Sequence, residues 1–591
     1  MKTIKYMQRF FLAVAFTAGL TACSSEEDFV TTSTSEAMDV DLVICAFPTF
    51  SENTVSRAIG TEDPGKTAWT SGDVVLLKTT FFSDGEKSTQ LSTTTNKLTF
   101  DGSKWTLNSR IYWPDAAVAA TIKAWYAPNY ELNQSGTLTL KSGESAGTCE
   151  MLTSEEIGVM KEDMKATIAF QGRTYSRLRV ATDPGRTLKI SSSAFTAPDG
   201  TTPIASGLEV TADAQGNILL YGTWTSNAKL TVKVEDNGKA YTLIEKDMSA
   251  SAAGKSYATD AIMNTATDCS KWGSGTAESP YLIASAAQLA DVGTKVDYYY
   301  NWKKYFLQIA DIDLSSVCSQ ESNKSWTPIG MQKRFKGVYD GGNHSISNLY
   351  INTNQTYCGL FSYISDDNAI VKNVRLISGS VISTADFVGG IAGFNYMGTI
   401  ANCSNAASIV STGNKCGGIA GTNDVTIVGC SNTGSVTGAT LVGGITGEQS
   451  KDAVMVGCSN TGNVKNTSYG AGGLIGWLNN CSNVFGCFTT GTVSGSDDFG
   501  SVIGRSLSGA VNNIYYVSQE GINWYGNYQA TSMTDVIAKT LAEMNETATV
   551  NSLNAAINAW NTANTDKPCN YHFEVGTGIA TLPIIVEGAP Q

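Results

Sequence analysis

Gly-Gly-Ile-Ala-Gly at residues 389–393 returns at 417–421, then as Gly-Gly-Ile-Thr-Gly at 443–447 and Gly-Gly-Leu-Ile-Gly at 472–476, at intervals of 28, 26 and 29 residues. A weaker copy, Gly500 to Gly504, follows 28 residues on, and Cys358-Gly359-Leu360-Phe361 is a reduced earlier one. The defining pairs are Gly389 and Gly390, Gly417 and Gly418, Gly443 and Gly444, and Gly472 and Gly473. Later in each period a cysteine returns as Cys403, Cys430, Cys458 and Cys487, and Asn405, Asn432 and Asn460 keep step with the first three. A period of this length is one supersecondary unit stacked on its copies. The units are rich in Val, Ile and Thr, are broken by Gly and Asn, and lack the apolar stripe of a helical repeat. Each therefore reads as one coil of a parallel β-helix, with coils ~4.8 Å apart and equivalent positions forming ladders along the axis. One glycine cluster alone could be a phosphate loop; as a rung among several copies it answers instead to the tight geometry and close approach of stacked turns.

The rest of the chain differs in texture. Lys2, Lys5 and Arg9 precede an apolar run from Phe10 to Leu20 that meets Leu20-Thr21-Ala22-Cys23, the layout of a secretory signal. The run is shorter than the ~20 residues of a permanent membrane helix. From Met38 to about Ala261, short runs such as Val74–Leu77, Ile218–Tyr221 and Leu230–Val234 lie between turn clusters, which predicts sandwiches. Residues Ser285 to Val292 read as a short capped helix ahead of the repeats. Residues 530–565 take a helical look, with Val536, Leu541, Met544, Leu553, Ile557 and Trp560 as apolar positions, and are expected to cap the last coil, ahead of a final strand within Ile579 to Val586. With 53 acidic against 40 basic residues, a nucleic-acid partner is excluded.

Three stretches resemble known families. Leu20-Thr21-Ala22-Cys23 resembles a bacterial lipobox, which implies cleavage before Cys23, its lipidation and anchoring to outer-membrane lipid; Ser24-Ser25-Glu26-Glu27-Asp28 resembles the acidic tag of surface-exposed Bacteroidetes lipoproteins. Trp69-Thr70-Ser71-Gly72-Asp73, Trp105, Tyr112-Trp113-Pro114 and Ala124-Trp125-Tyr126-Ala127-Pro128 resemble the fimbrillin-like (Mfa-like) proteins of Bacteroidetes, with Gln171 and Gly172 where that family often carries a His. That resemblance implies two transthyretin-like β-sandwiches, 38–158 and 159–265, the second holding Ile168-Ala169-Phe170 with Ser176 to Val180 and closing on Ala253 to Tyr257. It also implies strand-exchange assembly with other fimbrial subunits, opened by proteolysis between Arg57 and Ala58 after a first strand at Val40 to Ile44. The repeats resemble the GLUG motif, which implies a right-handed parallel β-helix over 269–529 with its N-terminal cap, closed by a small C-terminal cap over 530–591. Residues 1–22 are then the signal and 23–37 an acidic tether.

Other motifs weigh little. Gly254-Lys255-Ser256 is the tail of a P-loop, but Ser249 stands where the first glycine belongs. His344 and His572 are the only histidines, so a Ser-His-acid triad would rest on one isolated ring, and His344 reads as an exposed turn residue. Asp424 and Asp452 fall 28 apart and could share a cation on adjacent coils, although other copies carry Tyr396 and Asn479 or Asn480 there. The cysteine row gives thiols in a line rather than a tetrahedral cage and reads as buried apolar filling, with a bond between adjacent rungs left open. No catalytic, cofactor or metal residue is assigned. The expected function is a non-enzymatic adhesin or fimbrium-associated subunit at the outer membrane, cell surface or fimbrium, its β-helix offering rows of Asn, Thr and Ser to host or bacterial glycans or proteins. The alternatives are a polysaccharide-processing β-helix enzyme and a stand-alone glycan-binding lipoprotein.

Overall fold

The computed structural model describes residues 41–47, 66–163, 165–204, 207–295, 304–331, 333–450, 452–479, 482–507, 509–528, 535–565, 568–577 and 582–588. Cys23, Arg57 and Ala58 lie outside them. The chain divides into two compact units, Met1–Ile262 and Met263–Gln591.

The first unit holds two β-sandwiches. In the first, Trp105–Leu107, Gln90–Phe100, Val74–Phe82, Ala119–Tyr126 and Leu152–Thr153 pair in that order, and Ile157–Met160 also pairs with Ala119–Tyr126. Period-two alternation puts Val75, Leu77 and Phe81 with Ala120, Ile122 and Ala124 on the inner face. Asp41–Ile44, paired parallel with Lys165–Ile168, closes the other side. Ile168 and the half-buried Phe170 thus belong to the first core rather than the second, and the boundary expected at 158/159 moves past Phe170. Their partner explains the shift, since Phe170 packs 5.6 Å from Trp69, which also holds Phe47 at 4.7 Å and Trp105 at 5.0 Å.

The second sandwich sets Phe195–Thr196, Asn217–Trp224, Ser176–Ala181 and Ser256–Asp260 against Leu208–Thr211, Thr187–Ser192, Ala228–Asp236 and Lys239–Met248. Leu178, Val180, Leu188, Ile190, Leu230 and Val232 fill it. Gly254-Lys255-Ser256 is the left-handed turn that launches Ser256–Asp260 alongside Ser176–Ala181, so its role is structural.

The second unit is a β-solenoid of about eight turns. A typical coil runs Thr399–Ala401, Ser404–Asn405, Ser408–Ser411, Asn414–Gly417 and Ala420–Asn423, and each segment pairs parallel with its copy in the next coil, forming four sheets. One interior ladder is Tyr339, Val371, Ile400, Ile427, Met455, Val484 and Val511, all buried. Each such side chain contributes about 1.5–3 kcal/mol by leaving water. At the N-terminal end the helix Ala286–Lys295 is capped reciprocally: Ser285 Oγ accepts from Gln288 N at 3.1 Å, and Gln288 Oε1 accepts from Ala284 N at 3.0 Å. Its Leu289 and Val292 enter the solenoid core.

The asparagine row points inward, not to solvent as expected for a presented face. Asn405 Nδ2 donates to Asn432 Oδ1, and Asn432 Nδ2 to Asn460 Oδ1, both at 2.8 Å. Each amide also donates to the carbonyl two residues on, at Ala407, Gly434 and Gly462. A second buried row, Asn395, Asn423 and Gln449, is linked at 2.7 and 3.1 Å. The repeated glycines complete this arrangement. A Cβ on Gly390, Gly418 or Gly444 would lie 2.3–2.5 Å from Cγ of Asn405, Asn432 or Asn460, and one on Gly417 would lie 2.1 Å from Ala420 O. None of the eight paired glycines has a left-handed φ, so close approach alone demands them.

The C-terminal segment departs from expectation twice. Val536–Lys539 is a strand that continues the second sheet beside Ile514–Val517, and among the described residues of the segment only Leu541–Met544 and Thr547–Ala563 are helical. The helices and the hairpin Tyr571–Glu574 with Ile584–Glu587 do not sit on the end of the last coil. They run along the flank over Ala401, Val428, Val456, Phe488 and Tyr515. The reason is the outward row Lys372, Ala401, Val428, Val456, Phe485, which turns apolar after Lys372 and needs a cover.

Asn432→Ala removes one hydrogen bond from each of two neighbouring buried amides, Asn405 and Asn460, and is expected to cost about 1–3 kcal/mol in urea unfolding. Gly418→Ala, which drives a methyl into Asn432, should destabilise comparably, whereas the outward Ser431→Ala stays within about 0.5 kcal/mol of the parent.

Candidate functional site

The residues singled out by their repetition are interior ones. Cys403, Cys430, Cys458 and Cys487 are buried and free, and each thiol donates to a carbonyl of its own coil, at Ala401, Val428, Val456 and Phe485, at 3.3–3.5 Å. Cys430 Sγ accepts from Cys403 N and Cys487 Sγ from Cys458 N. Burial pushes the Cys430 and Cys487 thiols well up, as suits inert filling. Asp424 and Asp452 are not on one ladder. The hydrogen bonds of the turns align Tyr396, Asp424, Ser450 and Asn479, because the interval here is 26 residues; Asp452 falls two places later at a left-handed bend. His344 lies 3.8 Å from Asp311, and His572 sits in the C-terminal hairpin between Gly588 O and Glu574. Asp268, Cys269 and Asp291 lie close enough to gather a cation, but Asp291 already accepts from Cys269 N and Thr294, and Asp268 from Ser270.

What the repeat displays is a different set of residues. In four successive coils the chain bends through a left-handed residue just before the Gly-Gly strand: Tyr357 (φ 63°), Phe387 (64°), Lys415 (62°) and Leu441 (53°). Each such bend costs a side-chain-bearing residue about 1–2 kcal/mol. The bends bring successive aromatic side chains together. Tyr357 and Phe387 stack at 4.9 Å, with Phe394 of the fourth sheet 5.9 and 5.7 Å from them. Tyr363 meets Tyr357 and Phe394 edge-on at 5.3 and 5.0 Å, and Tyr396, 41% exposed, lies 5.6 Å from both Tyr363 and Phe394. The Arg334 guanidinium sits 4.6 Å over Tyr363, and the Lys415 ammonium 4.8 Å over Phe387 while pairing with Glu448 at 2.5 Å. Three and four coils beyond Phe394, Trp477 and Arg505 occupy the same register row, with Arg505 5.1 Å over Tyr469 and 3.2 Å from Asp498.

The result is a half-exposed aromatic and cationic strip, rich in the Tyr, Trp and Arg side chains that carry binding energy at interfaces. The sequence holds one signal for it. The residue after each closing glycine is Phe394, Thr422, Glu448, Trp477 and Arg505, a position fixed in the repeat whose chemistry varies from copy to copy.

No protein-family model matches the chain. A candidate Gly-rich membrane protein of Evansella cellulosilytica is 36% identical over 136 residues, covering 22% of this chain and 15% of that protein. Halomucin of Haloquadratum walsbyi is 30% identical over 230 residues, 38% of this chain and 2% of its own length. The matches thus span only a small part of these relatives. Among solved structures, a candidate immunoglobulin A1 protease of Bacteroides ovatus covers 53% of this chain and 94% of its own, with 21% identity and a TM-score of 0.40. A candidate cell adhesion protein of Bacteroides fragilis covers 38% and 92%, with 15% identity and a TM-score of 0.23.

Asp424 tests the strip's electrostatics. Burial holds its carboxyl above the usual value of 3.8, partly opposed by a hydrogen bond from Ser450. A raised carboxyl favours the folded state below the ordinary value and loses that advantage as pH rises. Asp424→Asn should therefore raise the melting temperature at pH 7, and the difference should vanish below about pH 4.

Proposed function

We propose that this protein is a non-enzymatic cell-surface adhesin or fimbrium-associated subunit, exported as a lipoprotein on Cys23, with the solenoid as its binding domain and the aromatic strip as its contact surface. The observation that carries the reading is the cluster of Tyr357, Tyr363, Phe387, Phe394 and Tyr396 on consecutive coils. Rings locked by their neighbours lose little rotamer entropy when a partner covers them, so more of the contact energy becomes affinity. The left-handed bends support the same reading, because strain of this kind collects where a surface serves recognition.

The first sandwich supplies a route to assembly. Asp41–Ile44 is held by one parallel pairing to Lys165–Ile168, and Phe47 inserts beside Trp69 and Tyr126. Cleavage after Arg57 would remove both, leaving a strand-wide slot on the free edge of Lys165–Ile168 that a neighbouring subunit's strand can fill. The solenoid follows the second sandwich in the chain, which suits a terminal subunit at tip or base rather than a repeating stalk.

N-terminal sequencing and intact mass of the surface-released protein separate the modes: a start at Ala58 marks strand-exchange assembly, and an acylated Cys23 marks an anchored lipoprotein. Cells displaying the chain are expected to adhere to immobilised mucin. Tyr363→Ala with Tyr396→Ala should lower that adhesion about tenfold or more while the chain still unfolds cooperatively, with a melt lowered only by the lost ring contacts; unchanged adhesion would remove the strip from the contact.

A further inference from the structure

The C-terminal flank segment leaves a groove between itself and the second sheet of the solenoid, about 550 Å³ in volume, and this groove lies apart from the aromatic strip. Its floor is a register row, Arg375, Ser404, Ser431 and Ser459, in which each residue is paired to the same position of the next coil. Thr433 and Thr461 form a second hydroxyl row beside it. Among the described residues, the hydroxyls of Ser404, Ser431, Ser459 and Thr461 have no hydrogen-bond partner. The opposite wall is apolar at Leu582, Pro583, Ile584, Ile585 and Val586, with Ile584 42% exposed, and ends at Glu587. Phe488 closes the deep end.

We infer that this groove binds a segment of a linear, uncharged polysaccharide lying along the solenoid axis. The inference rests on the reading of the solenoid as a binding domain and names the ligand class of a second surface on it. A pyranose ring has polar hydroxyl edges and apolar C–H faces, and the groove offers hydroxyls on one side and aliphatic carbon on the other. The hydroxyl row advances by one inter-strand spacing per coil, ~4.8 Å, which is about the length of one pyranose in an extended chain. An extended peptide advances ~3.3 Å per residue and would fall out of step within two coils. From Arg375 to Ser459 the row spans three such steps, roughly 14 Å, room for three to four sugar residues. The volume lies inside the ~300–1,000 Å³ usual for ligand clefts. The groove carries one cation, Arg375, whose Nη1 donates to Asn343 O, and one anion, Glu587, so it favours no net charge on the ligand.

The test is calorimetric titration of the purified full chain with β-1,4-linked glucose, N-acetylglucosamine, xylose and mannose oligomers of two to six residues. At least one series should bind, gaining affinity up to about four residues and then levelling, with little dependence on salt. Ser404→Ala with Ser431→Ala should weaken that binding about tenfold, and Ser431→Tyr, which fills the groove, should abolish it while the melting temperature holds. Tyr363→Ala with Tyr396→Ala should leave it unchanged, so loss of mucin adhesion in that variant and loss of oligosaccharide binding in the serine variants fail separately. Silence of all four series, affinity independent of length, or binding that survives both serine variants would overturn the proposal, as would displacement of the sugar by an extended peptide.

Discussion

The hydrogen bond from one asparagine amide to the next, Asn405 to Asn432 to Asn460, is the interaction around which the solenoid closes. A buried amide has two donors and an acceptor to satisfy, and no single turn of chain supplies all of them. Stacking the same amide above and below does: the oxygens of Asn432 and Asn460 accept from the amide of the coil before, while the nitrogens of Asn405 and Asn432 serve the next amide and a carbonyl of their own turn. That geometry fills the bend, and the space it needs is provided across the coil by the second glycine of each pair. Glycine and asparagine therefore repeat together because they are two sides of one packing contact.

This explains which parts of the fold were legible in the sequence. A β-helix imposes the same steric demand at every coil, so Gly389 to Gly473 and Cys403 to Cys487 expose the period, the strand class and the parallel stacking. Direction along each coil was less legible. Rows of Asn, Thr and Ser are expected on the faces, yet Asn405, Asn432 and Asn460 turn inward; only the amide beside them in space, 27 or 28 residues away in sequence, makes burial favourable. Val536 read as helical for a similar reason. Its apolar spacing suits a helix, yet the unpaired edge of Ile514–Val517 offers it a ladder that local propensity does not register. In the sandwiches Ile168 and Phe170 read forward along the chain into the second core, while Trp69, the ring that Phe170 packs on, lies about a hundred residues behind.

The candidate contact surface was invisible for the opposite reason. A search for repetition finds what each coil must keep, whereas the strip is built from what each coil is free to change: Phe394, Trp477 and Arg505 stand half-buried at one register place on a backbone that does not vary, where Thr422 and Glu448 are covered. Interior and exterior are separated by the period-two alternation of a strand, so the chemistry of the face can diverge without disturbing the ladders beneath. The bends at Tyr357, Phe387 and Lys415 add a row outside the regular sheet, and the stacking and cation contacts among them offset the cost of the left-handed backbone.

The C-terminal segment shows how a local requirement creates a second feature elsewhere. The row after Lys372 is apolar at Ala401, Val428, Val456 and Phe485, and left bare it would present a contiguous patch along four coils. Helix Thr547–Ala563 covers it through Val550, Leu553 and Ile557. The chain must then return, and it does so through a hairpin whose outer strand, Ile584–Glu587, stands beside the adjacent sheet. That sheet's outward row is serine, not valine, so nothing apolar draws the strand down onto it and a gap remains. The groove is thus a consequence of an apolar row lying next to a hydroxyl row, and its shape is set by the same coil spacing that sets the ladders within.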